Sequence, residues 1–181
     1  VVFAKGHHGY PQPEDNRGYK EITYDTSNYC KMCAVGAVQN APFRFRAEPK
    51  ANHSHFLQLN WVFDELFVRP DVRHTLEESD ITGISFVPPI IHKKNIPIQC
   101  VVQMKIDKVL AGGLNILGLQ PVTCQQCNEE FKEGISYEFR TKSMSYCHRI
   151  KYHLMRRGSF KFKRHVFDGM PDVVKSKEWF G

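Results

Sequence analysis

The chain has no run of eighteen uninterrupted apolar residues, so no transmembrane helix and no membrane partner are expected. The first residues, Val1-Val2-Phe3-Ala4-Lys5-Gly6, lack the charged start and apolar run of a signal peptide. The Gly-x-Ser-x-Gly elbow of serine hydrolases and the His-Glu-x-x-His pair of zinc proteases are missing. Ala111-Gly112-Gly113-Leu114 is not a phosphate-binding loop, because no Gly-Lys-Ser/Thr ending follows it. A zinc deaminase would need a His-x-Glu ahead of a Pro-Cys-x-x-Cys. Here Pro121 stands three residues before Cys124 and no His-x-Glu precedes it. Asp64-Glu65 and Glu77-Glu78 are adjacent in sequence and read as a turn and a solvated helix face rather than an acid–base dyad. No enzyme is expected. Internal repeats, heptads and low-complexity linkers are also missing, which leaves one domain as the natural reading of 181 residues. Both ends read as trimmed.

What the chain does have is cysteine in pairs. Six cysteines in a chain of this size do not suggest a disulfide scaffold. With no export signal, metal ligation in a reducing cytoplasm is the better reading. Cys30-Lys31-Met32-Cys33 and Cys124-Gln125-Gln126-Cys127 each place two thiolates at i and i+3 in a turn that can bite one metal ion with little strain. Together Cys30, Cys33, Cys124 and Cys127 make the all-thiolate tetrahedral set that zinc prefers, and a site closed by four cysteines leaves no position for water, so the zinc is expected to be structural. Two unrelated turns or a redox dithiol are the alternatives, although neither pair lies between a clear strand and a long helix. Cys100 sits in the apolar run Ile96–Val102 and reads as a buried free thiol. Cys147, before His148, reads as a free cysteine or a spare ligand.

The net charge of +6 is unevenly spread. Between Arg140 and His165 stand nine Lys or Arg with no Asp or Glu among them, interleaved with Tyr146, Tyr152, Phe160 and Phe162. Such a block attracts phosphate or an acidic protein surface, or is simply solvated. Arg149, Tyr152, Arg156, Arg157, Lys161 and Lys163 are its candidate partner-binding residues, because arginine and aromatic side chains dominate interface hot spots. The same residues would serve a nucleic acid through charge neutralisation and base stacking.

Residues 1–20, rich in Gly, Pro, His and Asn, read as an irregular arm, and 21–181 as a single zinc-stabilised domain with a truncated C-terminus. Glu21–Tyr24 has strand composition. Phe43-Arg44-Phe45-Arg46 alternates as a half-buried strand does, and Phe56–Phe63 reads as a central strand. His53 and His55 share a strand face, but nothing near them in sequence supplies a third ligand. Pro70 suits a first helical position, opening a short helix with Val72 and Leu76 facing inward. Strands are expected at Ile81–Val87, stopped by Pro88-Pro89, at Ile98–Ile106, and at Ile135–Arg140. The fold class is therefore α+β, strand-rich, with few short helices.

Three of these segments, Leu66–Val72, Leu76-Glu77 and Ile81–Pro88, resemble the unit of strand, short helix and Gly-Ile/Val-x-Phe-x-Pro strand of immunity proteins from bacterial polymorphic toxin systems. The two Cys-x-x-Cys knuckles are similar to those of double-CxxC immunity-type proteins. Asp172–Gly181 looks like the entry to another such unit that the chain does not complete. Ala34 and Asn128 follow the knuckles where that pattern has glycine. The resemblance implies a cytoplasmic protein that binds and blocks a cognate protein toxin and carries out no catalysis.

Overall fold

A computed structural model describes residues 7–8, 18–27, 37–50, 54–59, 65–110, 120–123, 130–133 and 162–175. The chain divides into two compact units, Val1–Asp107 and Lys108–Gly181. In chain order the first holds β1 (His7–His8), α1 (Tyr19–Thr23), β2 (Tyr24–Asp25), β3 (Val38–Gln39), β4 (Arg44–Phe45) and β5 (Phe56–Leu59). It continues with β6 (Leu66–Val68), α2 (Pro70–Glu78), β7 (Ile84–Val87), β8 (Ile90–Ile91), β9 (Ile96–Pro97) and β10 (Val102–Ile106). This is the strand-rich α+β architecture with few short helices that the residue pattern implies.

One expectation is corrected at the start of the first unit. Glu21–Tyr24 is not a strand: Tyr19–Thr23 is helical, and the extended backbone begins only at Tyr24. Gly18, at φ 67, takes the left-handed turn that starts the helix, and its carbonyl accepts the Ile22 N–H. Helical spacing puts Tyr19 and Thr23 on one buried side, four residues apart, and leaves Glu21 exposed, where a strand would have set Glu21 on that same side between them. Packing overrides the β-propensity of Ile-Thr-Tyr.

The main sheet has the order β1-β5-β6-β10-β7, parallel at β1–β5 and antiparallel elsewhere. Its His7–His8 edge comes from the stretch read as an irregular arm. Register assigns the faces. Leu57, Phe67 and Gln103 lie across from one another on one side, while Gln58, Leu66, Met104 and Phe86 lie on the other. On the first side Leu57, Leu59, Phe67 and Val101 pack with Phe43, Phe45 and Ile91 from a smaller sheet of order β4-β8-β9. The rings of Phe43, Phe45 and Phe67 meet edge-to-face with centroids 5.0–5.1 Å apart. The aromatic–basic alternation of 43–46 is thus a core-facing strand, with Phe43 and Phe45 buried and Arg44 turned away from them.

The expected helix forms. Pro70 opens α2, and the Arg69 guanidinium reaches Asp71 at 2.6 and 2.9 Å in its first turn. Desolvation raises the Asp71 carboxyl, but the hydrogen bond and charge of Arg69 outweigh it and hold the group below its ordinary value. Val72 and Leu76 are half-buried, and no α2 residue is fully buried. Asp80, at φ 53, then turns the chain sharply toward β7, a backbone region that Asp tolerates better than most residues.

In the second unit β11 (Gln120–Thr123) and β12 (Glu130–Glu133) form an antiparallel pair. Val109 bridges Lys175, with Leu110 N–H donating to the Lys175 carbonyl at 2.8 Å. A short 3-10 turn at Arg164–Phe167 stacks Phe162 edge-on against Phe167, with centroids 5.9 Å apart.

Candidate partner-docking surface

The β7 strand ends the main sheet, with β10 on one side and no strand among the described residues on the other. Its backbone polarity follows from the ladder. Asp107 N–H donates to the Gly83 carbonyl at 3.1 Å, and this pair continues the register Lys105↔Ser85 and Gln103↔Val87. Those are the hydrogen-bonded pairs of the antiparallel ladder, so the N–H and C=O groups of Ile84 and Phe86 point away from β10 toward the open edge.

Natural edge strands are commonly guarded by a charge, an internal proline or a bulge. Ile84-Ser85-Phe86-Val87 has no charge and no proline, and the prolines come only after it, at Pro88-Pro89. All four residues are half-buried. A groove of about 390 Å³ runs beside them, lined by Leu76, Glu77, Asp80, Ile81, Ile84, Ser85 and Phe86. Ile84 and Phe86 face one side of the sheet and Ser85 the other, so a groove touching all three follows the strand's outer edge.

Both walls of the groove are held in place. Arg73 lies over the Phe86 ring, 5.7 Å from its centroid, and its Nε donates to Glu77 at 2.9 Å. Ser85 Oγ donates to Asp107 at 2.7 Å across the β10 side. The rim is acidic in a chain that is basic overall: Glu77 and Asp80 line the groove, and Glu78 lies on the same turn of α2. Among the described residues no cation pairs with Asp80.

A polar cluster holds β10 from the other face. Gln103 is fully buried, and its Nε2 donates to Gln39 Oε1 at 2.6 Å while Gln39 Nε2 returns a bond to Gln103 Oε1 at 2.9 Å. Gln103 also donates to Glu65, whose other oxygen accepts the Tyr24 hydroxyl at 3.3 Å. Gln39 completes its donors on the Ala41 carbonyl at 2.7 Å. Gln103 stands on the same side of the sheet as Leu57 and Phe67, where Gln39 of β3 and Glu65 satisfy its amide and make it a buried polar pin. Only the partner amide distinguishes this glutamine from an exposed one, and that partner lies 64 residues away.

Cys30, Cys33, Cys124 and Cys127 lie outside the described residues, as do Arg149, Tyr152, Arg156, Arg157 and Lys161. Lys163 is exposed, at the entry to the 3-10 turn. The chain between β2 and β3 carries Cys30 and Cys33, and the chain between β11 and β12 carries Cys124 and Cys127. Each connection joins strands paired antiparallel, by Asp25↔Val38 and Thr123↔Glu130 respectively. Among the described residues no group of three or more His, Cys, Asp or Glu is placed to hold a metal ion. His53 lies outside them, and His55 is exposed.

Cys100 is free and only half-buried, with its thiol donating to the Pro49 carbonyl at 3.5 Å. Burial, followed by the charge of Glu48, pushes this thiol above its ordinary value of 9.0. It is therefore a poor nucleophile. Among the described residues no helix is long and apolar enough to cross a membrane. Comparison with models of known protein families, with curated proteins and with solved structures gave no match.

Proposed function

We propose that the chain is a zinc-stabilised, non-catalytic protein-binding module, an immunity protein that binds and neutralises a cognate bacterial toxin. The observation that carries this reading is the β6–α2–β7 unit. The residues whose sequence resembles the immunity-protein unit form a strand, a short helix and a second strand, and that last strand lies at an unguarded sheet edge beside a partly apolar groove. Unguarded edges and exposed apolar grooves are where protein partners dock.

The zinc belongs to the same proposal. The thiolate donor set is the one structural zinc sites use, and each Cys-x-x-Cys lies in a connection between two antiparallel strands. The ion would supply folding energy and no chemistry.

The test is co-expression with the toxin encoded by the adjacent gene. Co-purification of the two proteins and survival of cells making that toxin are the expected results. A chain that neither binds an adjacent toxin nor protects against it sinks the proposal.

A further inference from the structure

We propose that β7 receives an extended strand of the partner protein by edge-to-edge backbone pairing, and that this strand alternates apolar residues with lysine or arginine. The inference rests on the protein-binding reading above and names how the site works and which chemistry it selects.

Three observations point to a strand rather than to a helix or a flat surface. The N–H and C=O groups of Ile84 and Phe86 form a ready row of donors and acceptors on the open side of the sheet. Strand addition satisfies such a row, and side-chain pockets beside the edge then supply specificity. The groove lies along that edge, and its apolar part, formed by Leu76, Ile81, Ile84 and Phe86, suits every second side chain of an added strand. Finally, the edge carries no charge or internal proline to repel an incoming strand.

Charge selects the occupant. Arg73, over Phe86, shares the charge of Glu77, but Asp80 on the groove wall pairs with no described cation and Glu78 adds to the same turn, so the rim stays net negative and a strand with cations at alternate positions meets opposite charge. The obvious competitor is a second copy of this chain, since antiparallel pairing of two β7 strands about Ser85 would match Ile84 with Phe86 in both directions. That arrangement would bring the two α2 helices together on the same face of a continuous sheet, acidic rim facing acidic rim. Like charges so placed oppose self-association and leave the edge for a basic partner strand.

The test uses the full chain, labelled for amide spectroscopy, and two short end-blocked synthetic peptides, one of alternating lysine and valine and one of alternating glutamate and valine. The lysine–valine peptide should shift the Ile84 and Phe86 amides and bind at least about tenfold more tightly than the glutamate peptide, an electrostatic preference of about 1.4 kcal/mol. Ile84→Pro removes an edge N–H that the ladder with β10 does not use, and it should weaken the lysine–valine peptide by about tenfold or more. Ile84→Lys keeps the amide but sets a cation against the basic peptide, and serves if the proline variant does not fold. Glu77→Gln with Asp80→Asn should erase the preference between the peptides.

Absence of peptide binding, shifts that leave Ile84 and Phe86 unmoved, or equal binding by wild type and Ile84→Pro would overturn the proposal. A wild-type dimer that Ile84→Pro dissociates would assign the edge to a second copy and overturn it as well. The peptide assay needs no toxin, so its failure is separable from failure of the immunity reading. Peptide docking without toxin protection counts against that reading alone, and toxin bound equally by wild type and Ile84→Pro counts against strand addition alone.

Discussion

Gln103→Leu is the substitution whose cost can be worked most directly from the structure. Leucine roughly conserves volume and suits a strand, so the loss is mainly polar. Wild-type Gln103 is fully buried and makes three side-chain hydrogen bonds, two with Gln39 and one to the Glu65 carboxylate. Each neutral bond contributes about 1 kcal/mol, and the bond to a charged acceptor about 1.5–3 kcal/mol. Removing one partner also leaves Gln39 Oε1 and Glu65 short of a donor in a half-buried setting, which raises the cost. Burying a leucine in place of an amide returns roughly 1 kcal/mol or more. The net is a destabilisation of about 3 kcal/mol, large beside the ~5–15 kcal/mol of a typical domain.

A unit of this size would lose roughly 4–8 °C in Tm per kcal/mol, so about 12–24 °C in all. Urea unfolding followed by far-UV circular dichroism would read the same loss as a lower midpoint with little change in slope. The double variant Gln39→Leu/Gln103→Leu should recover part of the loss, because the half-buried Gln39 amide is then not left half-satisfied, and the cycle should show a coupling of about 1 kcal/mol or more. A single variant within about 0.5 kcal/mol of wild type, or strict additivity in the cycle, would refute the reasoning that this pin orders β10.

Phe67→Ala removes the ring that touches both Phe43 and Phe45 at 5.1 Å, and should cost about 3–5 kcal/mol by chemical denaturation, more than any substitution on exposed positions of α2. The Cys100 thiol is raised above 9.0 by burial and then by Glu48, so the folded state resists forming thiolate. Its contribution to stability is therefore complete below pH 9 and declines as pH rises from there toward the folded value; thermal melts of wild type and Cys100→Ser should converge across that range. Asp71 is held low, so what it contributes is present above its ordinary 3.8 and fades as pH falls through the lower folded value. Acid unfolding of Asp71→Asn should differ from wild type above pH 3.8 and match it in stronger acid. Purified protein should contain about one zinc per chain, and a strong chelator, or Cys30→Ser or Cys124→Ser, should lower its melting temperature; melts indifferent to chelator would remove the metal from the proposal.

Much of the local structure is legible in the residues themselves. Alternation places Phe43 and Phe45 inside and Arg44 on the opposite side of the strand, because a strand's side chains change face at every step. Pro70 marks the start of α2, because proline lacks the N–H that a first helical turn leaves unused. The strand read at Ile81–Val87, closed by Pro88, forms over Ile84–Val87, three residues shorter at its start. Those signals act over a few residues, and so they survive without knowledge of neighbours.

Tertiary structure alone decided the rest. Strand composition at Glu21–Tyr24 yielded to a helix, which buries Tyr19 and Thr23 together while keeping the Glu21 carboxylate, their neighbour on a strand face, in solvent. The strand pattern at Ile98–Ile106 does not say how a glutamine at position 103 is accommodated; Gln39 and Glu65, from distant segments, supply the hydrogen bonds that let it be buried. Nor does the period of a strand say which neighbours it will have. That β7 ends the sheet among the described residues, with the backbone N–H and C=O groups of Ile84 and Phe86 turned outward, depends on β10 pairing with β6 on one side and with β7 on the other. Local pattern assigns a residue to a face, whereas pairing order is set by contacts between remote segments that the residues of any one strand do not encode.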